Sequence, residues 1–392
     1  GLSEGFYAQG FNALAHVEID HFACETLKTR MKYYGYDDAD TAVLEEDITS
    51  KDILAKIKKV VREQTVDIII GGPPCQSFSP LGKAKDENNM QDDPRNYLFE
   101  NYVKVLNHFK PKFFVFENVT GLLDTEVKGK SIFKLILRRL RRNYRVLSDE
   151  ETIVLNATNY GVPQERKRVI LIGVRKDIDI AVEDVYKAIE KTHYLPGEPS
   201  DLRKELKKYV TVKDAIGDLP KLQQGQGEKI MDYPNEYDSC NAYVKKIRKK
   251  SDKKLRDHVA RMNNEKDVER YKVMAENHWN FLELLKYRPD LGHEKKRVFF
   301  NSYKVQWWDM PARTIIAHLY KDGNQFIHPD PDQGRSITVR EAARLQSFPD
   351  DFVFEGSRSE QFKQIGNAVP PMLAEAIAKA VRLQFEKIEQ EQ

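Results

Sequence analysis

Short apolar runs alternate with amphipathic stretches along the first 178 residues. Val66-Asp67-Ile68-Ile69-Ile70 and Phe113-Phe114-Val115 are β-branched or aromatic runs broken off by Gly, Pro or a polar pair. That is the pattern of strands buried in a parallel sheet. Periodicity predicts strands at 66–72, 113–118, 152–156 and 168–174, a helix at 97–109 and a basic amphipathic helix at 130–142. From about 179 to 334 the alternation stops and the chain becomes polar, rich in Lys, Asn and Asp. This stretch ends in Thr314-Ile315-Ile316 and Phe326-Ile327-His328-Pro329, read as two short strands around the turn composition Lys321-Asp322-Gly323-Asn324. From 335 a helix at 338–346 and another from about 370, continuing after Pro371 to the end of the chain, return to the first pattern. The expected architecture is α/β, in three segments: 1–178, a second domain at 179–334, and 335–392 rejoining the first domain.

Composition narrows the setting. A length of 392 residues suggests two domains. Cysteines at 24, 75 and 240 supply neither a disulfide framework nor a metal cluster, which points to a reducing compartment. Cys24, in a helical-looking stretch, is expected in the core. No run of 18 apolar residues is present and no signal peptide is visible, so no membrane partner is expected. The net charge of +3 is neutral about nucleic acid, but eight of the twelve residues from Lys245 to Arg256 are basic. Such a run is either a solvated helix face or a phosphate contact.

Two groups carry candidate chemistry. Cys75 lies in Pro73-Pro74-Cys75-Gln76 after one apolar run, and Glu117, 42 residues later, lies in Phe116-Glu117-Asn118-Val119 after another. Ligands collect at the carboxyl ends of strands in such sheets, so both groups are expected to share a crevice. A thiolate beside a carboxylic acid suits addition of sulfur to an electron-poor ring whose nitrogen must be neutralised at the same time. Taken singly, each motif has a plainer reading, a buried Cys and a helix-capping Glu-Asn. Pro73 and Pro74 nevertheless place the thiol on a loop rather than in a helix.

The chain resembles the S-adenosylmethionine-dependent DNA (cytosine-5)-methyltransferases. The resemblance rests on Val17-Glu18-Ile19-Asp20, Asp47-Ile48, the segment at 73–79, Asp93 to Phe99, Phe116 to Val119, Gln164-Glu165-Arg166-Lys167-Arg168, Arg335 to Asp350, and Gln364 to Pro371. It implies a Rossmann-like methyltransferase sheet with a smaller target-recognition domain at 179–334. One departure stands out. Family members open with a strand and a Phe-x-Gly-x-Gly loop, whereas this chain begins Gly1-Leu2-Ser3-Glu4-Gly5-Phe6, the tail of that loop. The first strand is therefore expected to be missing from an N-terminally incomplete sequence.

By resemblance, Cys75 attacks C6 of cytosine and Glu117, protonated or sharing a proton with N3, stabilises the charge pushed into the ring. Arg166 and Arg168, at alternate positions entering a strand, are implied near the base; an ordinary surface ion pair with Glu165 is the plainer alternative. Cofactor contacts are implied at Gly5, Phe6, Glu18, Ile19, Asp47, Ile48, Pro74, Leu98, Asn367 and Val369, while Asn118 is expected to brace the Cys75 loop. Contacts to double-stranded DNA are implied at Gln76, Ser79, Lys83, Arg95, Lys249, Lys250, Arg313, Thr314 and His318, with the segment from Gln76 to Asn96 serving as a lid over a flipped base. A monomer in the cytoplasm at the nucleoid is implied, with a restriction endonuclease of the same site as partner. Transfer RNA as substrate, or a catalytically silent DNA-binding relative, are the competing readings.

Overall fold

The apolar runs at 68–71 and 113–119 are neighbouring parallel strands, with Ile68 opposite Phe113 and Gly71 opposite Phe116. The computed structural model describes residues 1–73, 94–199, 201–248, 253–292 and 302–390. They fall into two units: Gly1–Tyr160 with Lys167–Lys191 and Leu373–Gln392, and Gly161–Arg166 with Thr192–Met372.

In the first unit the strands are β1 (His16–Glu18), β2 (Val43–Glu45), β3 (Ile68–Gly71), β4 (Phe113–Val119), β5 (Glu126–Val127), β6 (Lys130–Ser131), β7 (Tyr144–Val146), β8 (Val154–Asn156) and β9 (Lys167–Arg175). The main sheet runs β3-β4-β9-β7, with β8 also paired to β9. β3 and β4 are parallel, whereas β9 lies antiparallel between β4 and β7. Phe113, Phe114, Val115 and Phe116 are all buried because both faces of β4 are covered. Tyr102, on helix Phe99–Phe109, meets Phe116 edge-on from one face, and Phe385, on helix Pro371–Gln390, meets Phe113 from the other. Each such buried aromatic contributes about 1.5–3 kcal/mol. Helices on both faces make this an α/β arrangement as the apolar runs predict, but the sheet is mixed rather than parallel: of its pairings only β3 with β4 is parallel, and β9 is antiparallel to β4, β7 and β8.

Among the described residues β1 and β2 form a separate parallel pair, and β1 and β3 are each hydrogen-bonded along one edge only. Helix Ile53–Val61 buries Ile53, Ile57 and Val61 at a spacing of four, against Val17, Leu44 and Val66. The opening residues differ from expectation. Leu2–Ala8 is helical rather than the end of a loop, and Glu4 on it forms a buried ion pair with Arg30 at 2.6 Å.

The second unit does not end at 334: residues through Met372 pack within it. The division expected at 335 is displaced because helix Val339–Leu345 carries charges that are satisfied there. Arg335 pairs with Glu341 at 2.7 Å, and Arg344 with Asp350 at 2.7 Å and with Asp218 at 2.5 Å. All of these groups but the partly exposed Asp218 are almost wholly removed from water, so each needs its partner in place. Around them Val212, Ala215, Ile216, Ala342, Leu345 and Phe348 form the core.

The two strands expected at 314–316 and 326–328 are absent from the strands of the described residues. Ala317–Tyr320 is a 3-10 turn, and Ile327 makes only isolated bridges to Val305 and Ser336. The backbone of Ile315 is engaged by side chains, its N–H donating to Gln164 Oε1 and its carbonyl accepting from Arg166. A strand ladder has no use of it. The basic run is divided too, between helix Ala242–Arg248 and a strand, Lys254–Val259. Arg248 is buried over the Tyr233 ring at 3.7 Å and Lys254 pairs with Asp232 at 2.7 Å, so the described part forms no continuous solvated helix face.

Candidate active site

Glu117 sits near the carboxyl end of β4, and strand register decides what it meets. Val119 lies opposite Arg168 on β9, which makes Arg168 the diagonal neighbour of Glu117 on the same face. A long side chain spans that diagonal. Arg168 Nε lies 2.9 Å from Glu117 Oε1, and the two side chains are 11% and 13% exposed, dry enough to strengthen the pair while leaving an approach for a ligand. Arg168 also donates to its neighbour's carbonyl, Lys167 O, at 2.7 Å.

The end of β3 is shaped around this carboxylate. A Cβ on Gly72 would lie 2.7 Å from Glu117 Oε2, so any side chain there collides with it. Asn118 donates from Nδ2 to Pro73 O at 3.2 Å and accepts the Val119 N–H at 3.0 Å. It holds Pro73, the last described residue before the Cys75 segment. Pro74, Cys75, Gln76, Ser79 and Lys83, and with them the expected lid up to residue 93, lie outside the described residues, as do Lys249 and Lys250. Arg95 belongs to the short 3-10 turn Pro94–Tyr97.

A second group gathers where β1 and β2 end. These strands are parallel with Glu18 opposite Glu45, so Glu18-Ile19 and Asp47-Ile48 emerge at the same edge. Glu18 Oε1 accepts the N–H groups of Ile19 at 2.8 Å and Asp20 at 3.0 Å, which fixes its carboxylate. Asp20 in turn caps helix His21–Tyr33. Ile19 is 67% exposed, an apolar side chain open to a ligand beside two carboxylates. Asp47 is exposed and accepts the Thr49 N–H, while Ile48 packs on the Ile53-Ile57-Val61 stripe. Leu98, half-buried, precedes helix Phe99–Phe109. Gly5 and Phe6 are both buried on helix Leu2–Ala8, Phe6 edge-on to Phe11.

In the second unit Arg166 is neither an exposed ion pair nor a free cation. It is buried and donates to the carbonyls of Ile315 at 2.6 Å, Gly366 at 2.9 Å and Ala368 at 2.9 Å. Alternate positions therefore do not give the two arginines one job, since Arg168 holds Glu117 and Arg166 holds backbone. Asn367 is exposed at the end of helix Arg358–Asn367 and Val369 is buried. Arg313 is exposed, and Thr314 donates its hydroxyl to Glu165 O at 2.6 Å. His318 stands in the 3-10 turn beside Tyr320.

Sequence reasoning missed Gly72, although a Gly-Gly pair before Pro-Pro at a strand end was a usable signal. It also missed Gln346, whose Nε2 donates to Ile365 O at 3.0 Å and Ala368 O at 2.8 Å. Nothing local marks that glutamine.

Comparison with known proteins identifies the family. A family model, C-5 cytosine-specific DNA methylase, matches residues 1–382. Type II methyltransferase M.Bpa9945I of Bacillus paralicheniformis is 34% identical over 444 aligned residues, covering 97% of this chain and 96% of that protein. Type II methyltransferase M.DdeI of Desulfomicrobium norvegicum is 35% identical over 402 residues, covering 99% and 87%. Among solved structures, one described as a DNA modification methyltransferase encoded within an E. coli prophage superposes with a TM-score of 0.70 at 24% identity, over 98% of this chain and 96% of that one. S. pombe Dnmt2 methyltransferase superposes with a TM-score of 0.51 at 14% identity, over 99% and 96%. The structural likenesses speak for the fold, and the family match and the curated relatives speak for the chemistry: the chain belongs to the C-5 cytosine-specific DNA methylases, and it is a DNA (cytosine-5)-methyltransferase.

Proposed function

We propose that this enzyme methylates C5 of a flipped-out cytosine at a specific site in duplex DNA through a covalent bond between Cys75 and C6, with S-adenosylmethionine as donor. The observation that carries the reading is the Glu117–Arg168 pair at the end of β4, beside the β3 end from which the chain runs into Cys75.

The residues at the ends of β1 and β2 fit the donor. The Glu18 carboxylate suits the two ribose hydroxyls, Ile19 the adenine face and Asp47 the adenine edge. Leu98, Asn367 and Val369 complete the proposed contacts. When bound, the cofactor supplies an electrophilic methyl group.

The protein's own groups do the rest. The Cys75 thiolate forms a bond to C6, and the C5–C6 π electrons move into the ring toward C5 and N3. Glu117, at N3, shares a proton with the ring nitrogen and stabilises that charge; Arg168 keeps its carboxylate in place. Once C5 carries the methyl group, loss of the C5 proton re-forms the double bond and expels the thiolate. Flipping the base out costs a few kcal/mol of stacking and pairing. Arg313, Thr314 and His318 are proposed on the DNA side, together with Gln76, Ser79, Lys83, Arg95, Lys249 and Lys250. The type II names of the relatives favour a restriction endonuclease of the same specificity as partner, and the methyltransferase itself is proposed to act as a monomer.

Duplex DNA with 5-fluorocytosine at the target tests the covalent step, since fluorine does not leave as the C5 proton does. A denaturant-stable adduct at Cys75 is expected with cofactor present, and none with Cys75→Ala, which should still bind DNA within a few fold. An active enzyme that traps no DNA would exclude the mechanism. Bisulfite sequencing of DNA from expressing cells reads the target site, and unprotected cytosines throughout would refute the activity itself.

A further inference from the structure

Three segments distant in sequence meet in the second unit around Gln164-Glu165-Arg166. Backbone bonds come first: Ala312 N donates to Pro163 O and Glu165 N to Ala312 O, both at 2.8 Å. Side chains add to them. Gln164 accepts the Ile315 N–H at 2.9 Å through Oε1, and its Nε2 donates to Leu345 O at 3.1 Å and to Gln346 Oε1. The Thr314 hydroxyl donates to Glu165 O. Gly366 lies so close to residues 316–317 that a Cβ on it would be 2.2 Å from Ala317 N.

Arg166 closes the junction. Its Nη1 donates to Ile315 O, and its Nη2 to Gly366 O and Ala368 O. Gly366 is in the last turn of helix Arg358–Asn367, whose final carbonyls have no partner within the helix. A cation there also meets the negative end of the helix dipole. A planar fork of fixed N–H groups can serve carbonyls from two segments at once, whereas a lysine ammonium on a flexible stem holds them poorly. Gln346 reinforces the same point by donating to Ala368 O.

We propose that Arg166 is a positioning residue that fixes Asn367 to Val369 relative to Arg313 to Ile315, so that the grip on cofactor and the geometry of the target side are set together. This rests on the assignment of Asn367 and Val369 to the cofactor under the proposed function. Arg166 bonds to the residues on either side of Asn367 and to the residue after Thr314. A movement of one segment is therefore carried to the other through a buried guanidinium, without a charge acting on the base.

Calorimetric binding of S-adenosylhomocysteine to Arg166→Lys and Thr314→Val, alongside kcat and KM with duplex DNA, tests this. Arg166→Lys is expected to raise the Kd for S-adenosylhomocysteine and the KM for S-adenosylmethionine about tenfold, with kcat at saturating cofactor within about threefold of wild type. Thr314→Val, which removes only the bond to Glu165 O, is expected to weaken cofactor binding about threefold. An unchanged Kd in Thr314→Val overturns the proposal, and it remains decisive if Arg166→Lys fails to fold. So does a kcat loss of a hundredfold or more in Arg166→Lys at unchanged KM, which would put Arg166 on the base. Lowered thermal stability with unchanged Kd in both variants also overturns it. A wild-type enzyme that binds S-adenosylhomocysteine but methylates no cytosine refutes the functional reading instead and leaves the Kd comparison standing.

Discussion

At the scale of single residues, the site depends on a side chain that is missing. Gly72 leaves room for the Glu117 carboxylate, and a methyl group in its place would stand 2.7 Å from Oε2. Gly72→Ala should therefore push the Glu117–Arg168 pair out of line while leaving the sheet intact. Misplacement of a catalytic group by about 1 Å costs on the order of a hundredfold. Turnover on duplex DNA is expected to fall by about ten- to a hundredfold with the thermal midpoint nearly unchanged, and wild-type turnover in this variant would show that the close approach has no catalytic meaning. Glu117 was legible in sequence because a carboxylate beyond an apolar run belongs at a strand end. The role of Arg166 was not, because its partners are carbonyls 149 to 202 residues away that no side-chain pattern marks. Cys24 behaves as read: it is buried, and burial pushes its thiol up to about 12, too high for a nucleophile.

At the scale of elements, the periodic runs of the first unit were read correctly, the short strands Ile68–Gly71 and Val154–Asn156 included, and two short runs of the second unit were not. The strands at 113–118 and 168–174 and the helix at 338–346 agree with Phe113–Val119, Lys167–Arg175 and Val339–Leu345. The last begins with a capping box: Thr338 Oγ1 accepts the Glu341 N–H, and Glu341 accepts the Thr338 N–H. The same hydroxyl meets His258 Nδ1 at 3.0 Å. Thr338→Ala should cost about 1–2 kcal/mol in urea unfolding, whereas Thr338→Ser, which keeps the oxygen, should recover most of it. Equal losses in the two variants would assign the effect to the lost methyl group instead. The misread segments, 314–316 and 326–328, have strand-like composition, but their hydrogen bonds go to side chains and isolated bridges. Local propensity cannot foresee such partners.

At the scale of the whole molecule, the buried charges of the second unit make stability depend on pH. His328 Nδ1 accepts the Asp330 N–H at 3.1 Å, so the ring is neutral, and burial lowers it to about 3. Burial lowers His258 as well. Burial alone would raise Glu341 and Asp350, but Arg335 beside the first and Arg344 beside the second more than reverse this and hold both below the usual carboxylate range. The sign is the same for all four groups. As pH falls below about 6.5, the unfolded chain takes up protons that the folded histidines refuse, and stability drops by up to about 1.4 kcal/mol per pH unit for each such histidine. Below about 4.5 the two carboxylates add their share. Urea unfolding between pH 8 and 4 should show a monotonic loss beginning near 6.5, and a flat profile down to pH 5 would mean that these histidines are not held neutral by the fold.

The sequence by itself determined the α/β class, the alternation of strands and helices in the first 178 residues, and the presence of Cys75 and Glu117, the two residues for which a chemistry is proposed. Each follows from hydrophobic period or residue type, which are local properties. Only the tertiary structure decided that Arg168 rather than Arg166 faces Glu117, that residues 335–372 belong with the middle of the chain, and that Gly72 makes room for the carboxylate. Those outcomes depend on strand register, on where buried charges find partners, and on the distance between backbones that sequence leaves far apart. They are fixed when the chain packs, and pattern along the chain does not encode them in any single stretch.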